Sequence, residues 1–178
     1  MILSTFVIGC SNDDISDNNS SLVKREVDID LEYIELKTLV FNHLEYLQDK
    51  DESYLSRLTE EEAINSLVPI TNVTMRVLQS YGISESEISD EFGSIDDPRL
   101  ALVGISIVAA NGDFDMDKAI DCLVAALGLN VFDAIREVGE VGTKKALIKI
   151  VKGVASRFLG PIGIAITVAE WAWCYGSE

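Results

Sequence analysis

The sequence predicts an all-α protein, a compact multi-helix bundle with a buried C-terminal helical hairpin, and three observations predict it. Apolar residues recur at three- and four-residue spacing from Leu31 to Leu47, which places them along one side of a helix. Two capping boxes, Thr59 with Glu62 and Ser84 with Glu87, mark helix starts. The apolar run from Leu100 to Ala110 follows Asp97-Pro98, an N-cap and first-position pair, and no second run of strand quality exists to pair with it.

The elements follow in order. A first helix opens at Val27 and carries Leu31, Ile34, Leu36, Leu39, Val40, Leu44 and Leu47 as its stripe. A second starts at Thr59, with three glutamates in its first turn where the helix dipole favours them. Pro69 is expected to kink or restart it, and Gly82 after Tyr81 to stop it. Ser84 opens a short helix. The central helix 100–110 is too short to cross a bilayer, which takes about 20 residues. A helix from Met116 to Leu127 ends at Gly128, and a short one spans Val131 to Val138. Thr143 caps a longer helix to about Leu159. There Lys145, Lys149, Lys152 and Ser156 form one stripe, and Leu147, Ile150, Val151, Val154 and Phe158 lie away from it. Gly160-Pro161 punctuates, and the last helix is apolar except for Thr167 and Glu170.

A chain of 178 residues is expected to form one domain. Its net charge of −16 argues against nucleic-acid binding, whose footprint is a basic patch. The charge is uneven. Residues 1–117 hold 24 acidic and 7 basic side chains, and residues 118–178 hold 6 and 7, so the acidic surface belongs to the first half.

Residues 6–14 read FVIGCSNDD, an uncharged oily run that turns polar and acidic at a lone cysteine. The run has the length of a signal-peptide core rather than of a membrane span. Val7-Ile8-Gly9-Cys10 resembles the lipobox of bacterial lipoproteins, and Ser11-Asn12-Asp13-Asp14 looks like the acidic tetrad of Bacteroidota lipoproteins bound for the cell surface. The whole resembles small secreted lipoproteins of Bacteroidota. That resemblance implies cleavage before Cys10 and lipidation of its thiol and new amino group; more than one chain is what stable anchoring requires. One departure is that no Lys or Arg precedes Lys24, so either translation starts upstream or the signal is degenerate. The organisation expected is a signal remnant at 1–9, an acidic flexible tether at 10–26 and one helical domain at 27–178.

With Cys10 lipidated, Cys122 and Cys174 remain, and an even remainder in an oxidising compartment suggests a disulfide; two buried free thiols are the alternative. No catalytic signature and no cofactor motif is found: there is no HExxH, Walker loop or GxSxG. Asp113, Asp115 and Asp117 begin an EF-hand-like run, but Lys118 and Val124 stand where that loop needs Gly and Glu, so no metal is expected. The single histidine, His43, sits on the first amphipathic helix, and its pairing with Cys122 or Cys174 as a thiol dyad is a weak option.

The expected function is therefore a non-catalytic binding or structural role for a lipoprotein at the outer membrane or cell surface. Its partners would be membrane lipid, through acylated Cys10, and a protein partner, with no nucleic acid. The alternative is a membrane-active, bacteriocin-like factor or its immunity partner. In it, the acidic first half masks a C-terminal segment made of a cationic amphipathic helix, a Gly-Pro bend and a Trp-bearing apolar helix.

Overall fold

The computed structural model describes residues 16–111, 115–127, 144–157 and 159–177, without the side chains of 16–29, 52, 116 and 127. Among the described residues the chain forms eight helices and no strand: α1 (Ser16–Gln48), α2 (Glu52–Arg57), α3 (Glu60–Ser80), α4 (Glu85–Phe92), α5 (Leu100–Ala110), α6 (Met116–Leu127), α7 (Lys144–Ala155) and α8 (Pro161–Gly176). The expected helix at 131–138 lies outside the described residues.

The predicted starts form as their chemistry demands. Thr59 and Glu62 close one capping box and Ser84 and Glu87 the other, each with both reciprocal bonds. Gly82 and Gly93, at φ of 82° and 83°, turn the chain out of α3 and α4. A short helix not foreseen, α2, is nucleated by Asp51, whose carboxylate accepts from the Tyr54 amide at 3.1 Å.

Packing then orders the helices. α3 lies between α1, α5 and α8; α8 also packs on α6 and α1, and α7 packs on α5 and α4. All eleven residues of α5 are buried, so its lack of a polar face is the mark of a central helix rather than of a strand. At Gly104 an added Cβ would meet Thr74 Oγ1, Leu36 Cδ1 and Ile70 Cγ2, so glycine is what lets α5 seat against α3 and α1. The two C-terminal helices are buried along Leu147, Ile150, Val151 and Val154 of α7 and Ile164, Val168 and Trp171 of α8.

Two helix starts, one expected break and part of one stripe differ from expectation, each for a physical reason. α1 begins at Ser16, so the 26/27 boundary between tether and domain falls inside a helix; once nucleated, a helix extends at little further cost. Leu31 and Ile34 stay 61 % and 57 % exposed, because at 100° per residue they lie across the helix from Leu36, Val40, Leu44 and Leu47, which take its buried side. α3 continues through Pro69, held by packing on three helices. α5 begins at Leu100, two residues beyond Pro98: the Asp97 carboxylate accepts from the Arg99 amide at 2.8 Å and caps a lead-in turn instead.

Arg99 also explains why α7 stops at Ala155 rather than near Leu159. Its guanidinium donates to the carbonyls of Ala155 at 2.8 Å and Arg157 at 3.1 Å, supplying donors that a further helical turn would otherwise provide. It donates to the Phe92 carbonyl and is held by both oxygens of Asp97. The ends of α4 and α7 and the start of α5 thus meet on one side chain.

Candidate functional site: a groove between α1 and α3

α1 and α3 run antiparallel. Leu36, Val40, Leu44 and Leu47 take the buried side of α1. That rotation sets Leu39, Asn42, His43 and Tyr46, spaced as one neighbouring face, along the rim of a groove of about 220 Å³. Ser66, Pro69 and Ile70 of α3 form the other wall. None of these lining residues is charged, in a molecule whose net charge is −16.

The polar groups of the groove are largely uncommitted. The His43 imidazole and the Asn42 amide have no hydrogen bond among the described residues. Burial pushes the His43 pKa below its usual 6.5, so the ring is neutral at neutral pH. The Ser66 hydroxyl donates to the Ala63 carbonyl at 2.8 Å and presents lone pairs to its surroundings.

An aromatic cluster closes one end. His43 stacks on Tyr46 with ring centroids 6.2 Å apart and planes at 25°, and Tyr46 meets Tyr54 of α2 edge-on at 6.1 Å. The Tyr46 hydroxyl donates to that of Tyr54 at 3.4 Å, and Lys50 Nζ stands 4.4 Å from the centre of the Tyr46 ring. Burial first, and then its pairing with the Tyr46 hydroxyl, raise the Tyr54 hydroxyl to about 12.

The other clefts are bridged by their own side chains. Between α4 and α7, a cleft of about 180 Å³ is bridged by Lys144 to Glu87 at 3.0 Å and Lys152 to Glu91 at 3.4 Å. Glu87 is drawn to about 2, first by the capping bond from the Ser84 amide and then by Lys144. A third, where α1 and α8 end together, is crossed by the bond from Gln48 Nε2 to the Ala172 carbonyl.

No known protein family, curated protein or solved structure matches the chain.

Of the residues singled out in the sequence, Cys10 and Asp113 lie outside the described residues. Cys122 of α6 and Cys174 of α8 are bonded to each other, their Cα atoms 5.7 Å apart. Neither therefore offers His43 a free thiol. Asp115 accepts from the Lys118 amide at 3.3 Å, as a helix-capping residue does, and no group of His, Cys, Asp or Glu among the described residues is arranged to hold a metal. The groove itself was missed. His43 signalled one wall, but the partner wall is 23 or more positions away on another helix; the only available sign was Pro69 inside a helical pattern.

Proposed function

We propose that the protein is a lipid-anchored domain held outside the cytoplasm, at the outer membrane or cell surface, with a non-catalytic binding role. The observation that carries this is the switch from oil to acid at Cys10, where the lipobox-like Val7-Ile8-Gly9-Cys10 ends. The Cys122–Cys174 bond supports it, because such bonds persist in oxidising compartments. No described helix is long and apolar enough to cross a membrane, so attachment through Cys10 would use lipid. The binding role is supported by a groove of uncharged walls and uncommitted polar groups. The test is fractionation: Cys10→Ala should move the protein from the membrane to the soluble fraction. An unmodified cysteine in wild type, read by mass spectrometry, would overturn the anchor.

The membrane-active reading has one observation in its favour, the pairing of Lys144 and Lys152 of the cationic helix with Glu87 and Glu91 of the acidic half. Against it, the apolar sides of α7 and α8 are buried within the bundle. The two readings separate on anionic vesicles: the domain should leave them sealed both intact and after its C-terminal part is released by a proteolytic cut together with reduction of the Cys122–Cys174 bond. Potent leakage on release would favour the membrane-active factor.

A further inference from the structure

Among the described residues, Leu31 and Ile34 are the most exposed of the large apolar side chains. They stand one turn apart on the side of α1 turned away from the bundle, and Thr38 is exposed on the same side, four positions on from Ile34. The Thr38 hydroxyl donates to the Ile34 carbonyl at 2.8 Å, so its hydrogen bond is made within the helix. The acidic neighbours Glu32 and Glu35 are drawn to Arg76 of α3. What remains is a short uncharged strip that asks no hydrogen bond of whatever covers it. Asp30 stands at its edge. Glu45, seven positions beyond Thr38 and exposed on the same side, ends it toward the C-terminus of α1.

The size of the strip and its place in the chain decide what fits it. A stable protein interface takes about 20–30 residues a side. This strip offers three, and two copies of a chain with a net charge of −16 repel each other. A lipid surface sets no such minimum when the chain is already held beside it, because the tether supplies the local concentration. Cys10 stands six residues ahead of Ser16, where α1 starts, and six residues reach at most about 20 Å. From Ser16 to Leu31 the helix rises about 22 Å. An anchor at Cys10 therefore keeps the strip within about 42 Å of its own lipid, with the charged end of α1 the farther one.

We propose that this strip is a membrane-contact surface. With Cys10 anchored, α1 lies along the bilayer with Leu31, Ile34 and the Thr38 methyl against the boundary of headgroups and acyl chains. The domain then has one orientation on the membrane, the bundle on the far side of α1. This rests on the anchor proposed above, and the test supplies that anchor chemically.

With Cys122 and Cys174 bonded to each other, Cys10 is the one cysteine of the chain left for coupling. The full chain is joined through it to a maleimide lipid in phosphatidylcholine vesicles, whose surface carries no net charge. Leu31→Trp is the reporter, the parent chain gives the background of Trp171 and Trp173, and Val68→Trp, at an exposed apolar position of α3, is the control. On coupling, the Leu31→Trp emission should move to the blue and lose intensity when the acyl chains are brominated, and Val68→Trp should do neither. Adding Ile34→Glu to the reporter should abolish both changes, because the strip would then have to take a charge out of water. Unchanged emission of coupled Leu31→Trp, equal quenching at Val68→Trp, or indifference to Ile34→Glu would each overturn the proposal. A blue shift that appears without vesicles and grows with protein concentration would give the strip to a second copy and overturn it as well. Failure here leaves the fractionation test of Cys10 standing. An unmodified Cys10 in cells overturns the anchor and with it this role in the cell, while the coupled chain still reports whether the strip takes lipid.

Discussion

Arg99 joins the ends of α4 and α7 to the start of α5, and its side chain is only 17 % exposed with a carboxylate, Asp97, at 2.8 Å. Its bonds to the carbonyls of Phe92, Ala155 and Arg157 are charge-assisted, the class worth about 1.5–3 kcal/mol each before coupling. Arg99→Ala should lower stability by roughly 3 kcal/mol, read as a shift in the urea midpoint. Arg99→Lys should recover little of it, because a point charge cannot reproduce the planar fork. His43 gives a second expectation at this scale. Its folded pKa lies below 6.5, so as pH falls the unfolded chain takes up the proton first. The stability of the neutral ring is full above pH 6.5 and declines below it, until the folded pKa is reached. The urea midpoint should fall between pH 7 and 5, and His43→Asn should flatten that slope. Neither role was legible in the sequence: Arg99 stands beside a helix start with nothing to announce carbonyls 56 and 58 positions away, and a lone histidine on an amphipathic helix looks like any half-buried one.

Helix starts were the most legible feature, because a capping box is a local bargain between residues three apart. Ser84 and Glu87 show how far such a bond carries. Glu87 closes the cap and also receives Lys144 from α7, which holds its pKa near 2 against the ordinary 4.5. With the folded pKa depressed, this stabilisation is present above pH 4.5 and is lost as pH falls toward 2. Ser84→Ala should cost about 1 kcal/mol at neutral pH. Helix interiors were harder to read. Leu31 and Ile34 look like part of the stripe of α1 by spacing alone, yet they turn away from Leu36 and Val40 on the helix and stay exposed. Pro69 reads locally as a break, and only packing on three neighbours keeps α3 continuous. Gly104 is equally silent in sequence: in an oily run it resembles a spacer, and in the bundle it is the point where α5 touches Thr74 and Leu36. Gly104→Ala should therefore lower stability by about 1–3 kcal/mol although alanine is the better helix former, and Gly104→Asp should prevent folding. A thermal melt of the alanine variant that rises would show the contact is looser than described.

At the scale of the molecule, the all-α class followed from spacing and caps, whereas the order of packing did not, since which helix lies on which is settled by contacts between distant residues. The disulfide is the one long-range tie that a residue count suggested. It spans 52 positions, and in the chain-entropy model a loop of that length is worth about 4 kcal/mol. Cys122→Ala with Cys174→Ala should lose an amount of that order in urea. The same bond makes residues 122–174 a closed covalent ring that contains α7 whole. A protease that cuts between 127 and 144 therefore divides the backbone without dividing the molecule. The nicked protein should migrate as one species on a non-reducing gel and as two after reduction. Any programme that frees the C-terminal helices consequently needs two agents acting together, a cut and a reductant, and in an oxidising compartment the second is the scarce one.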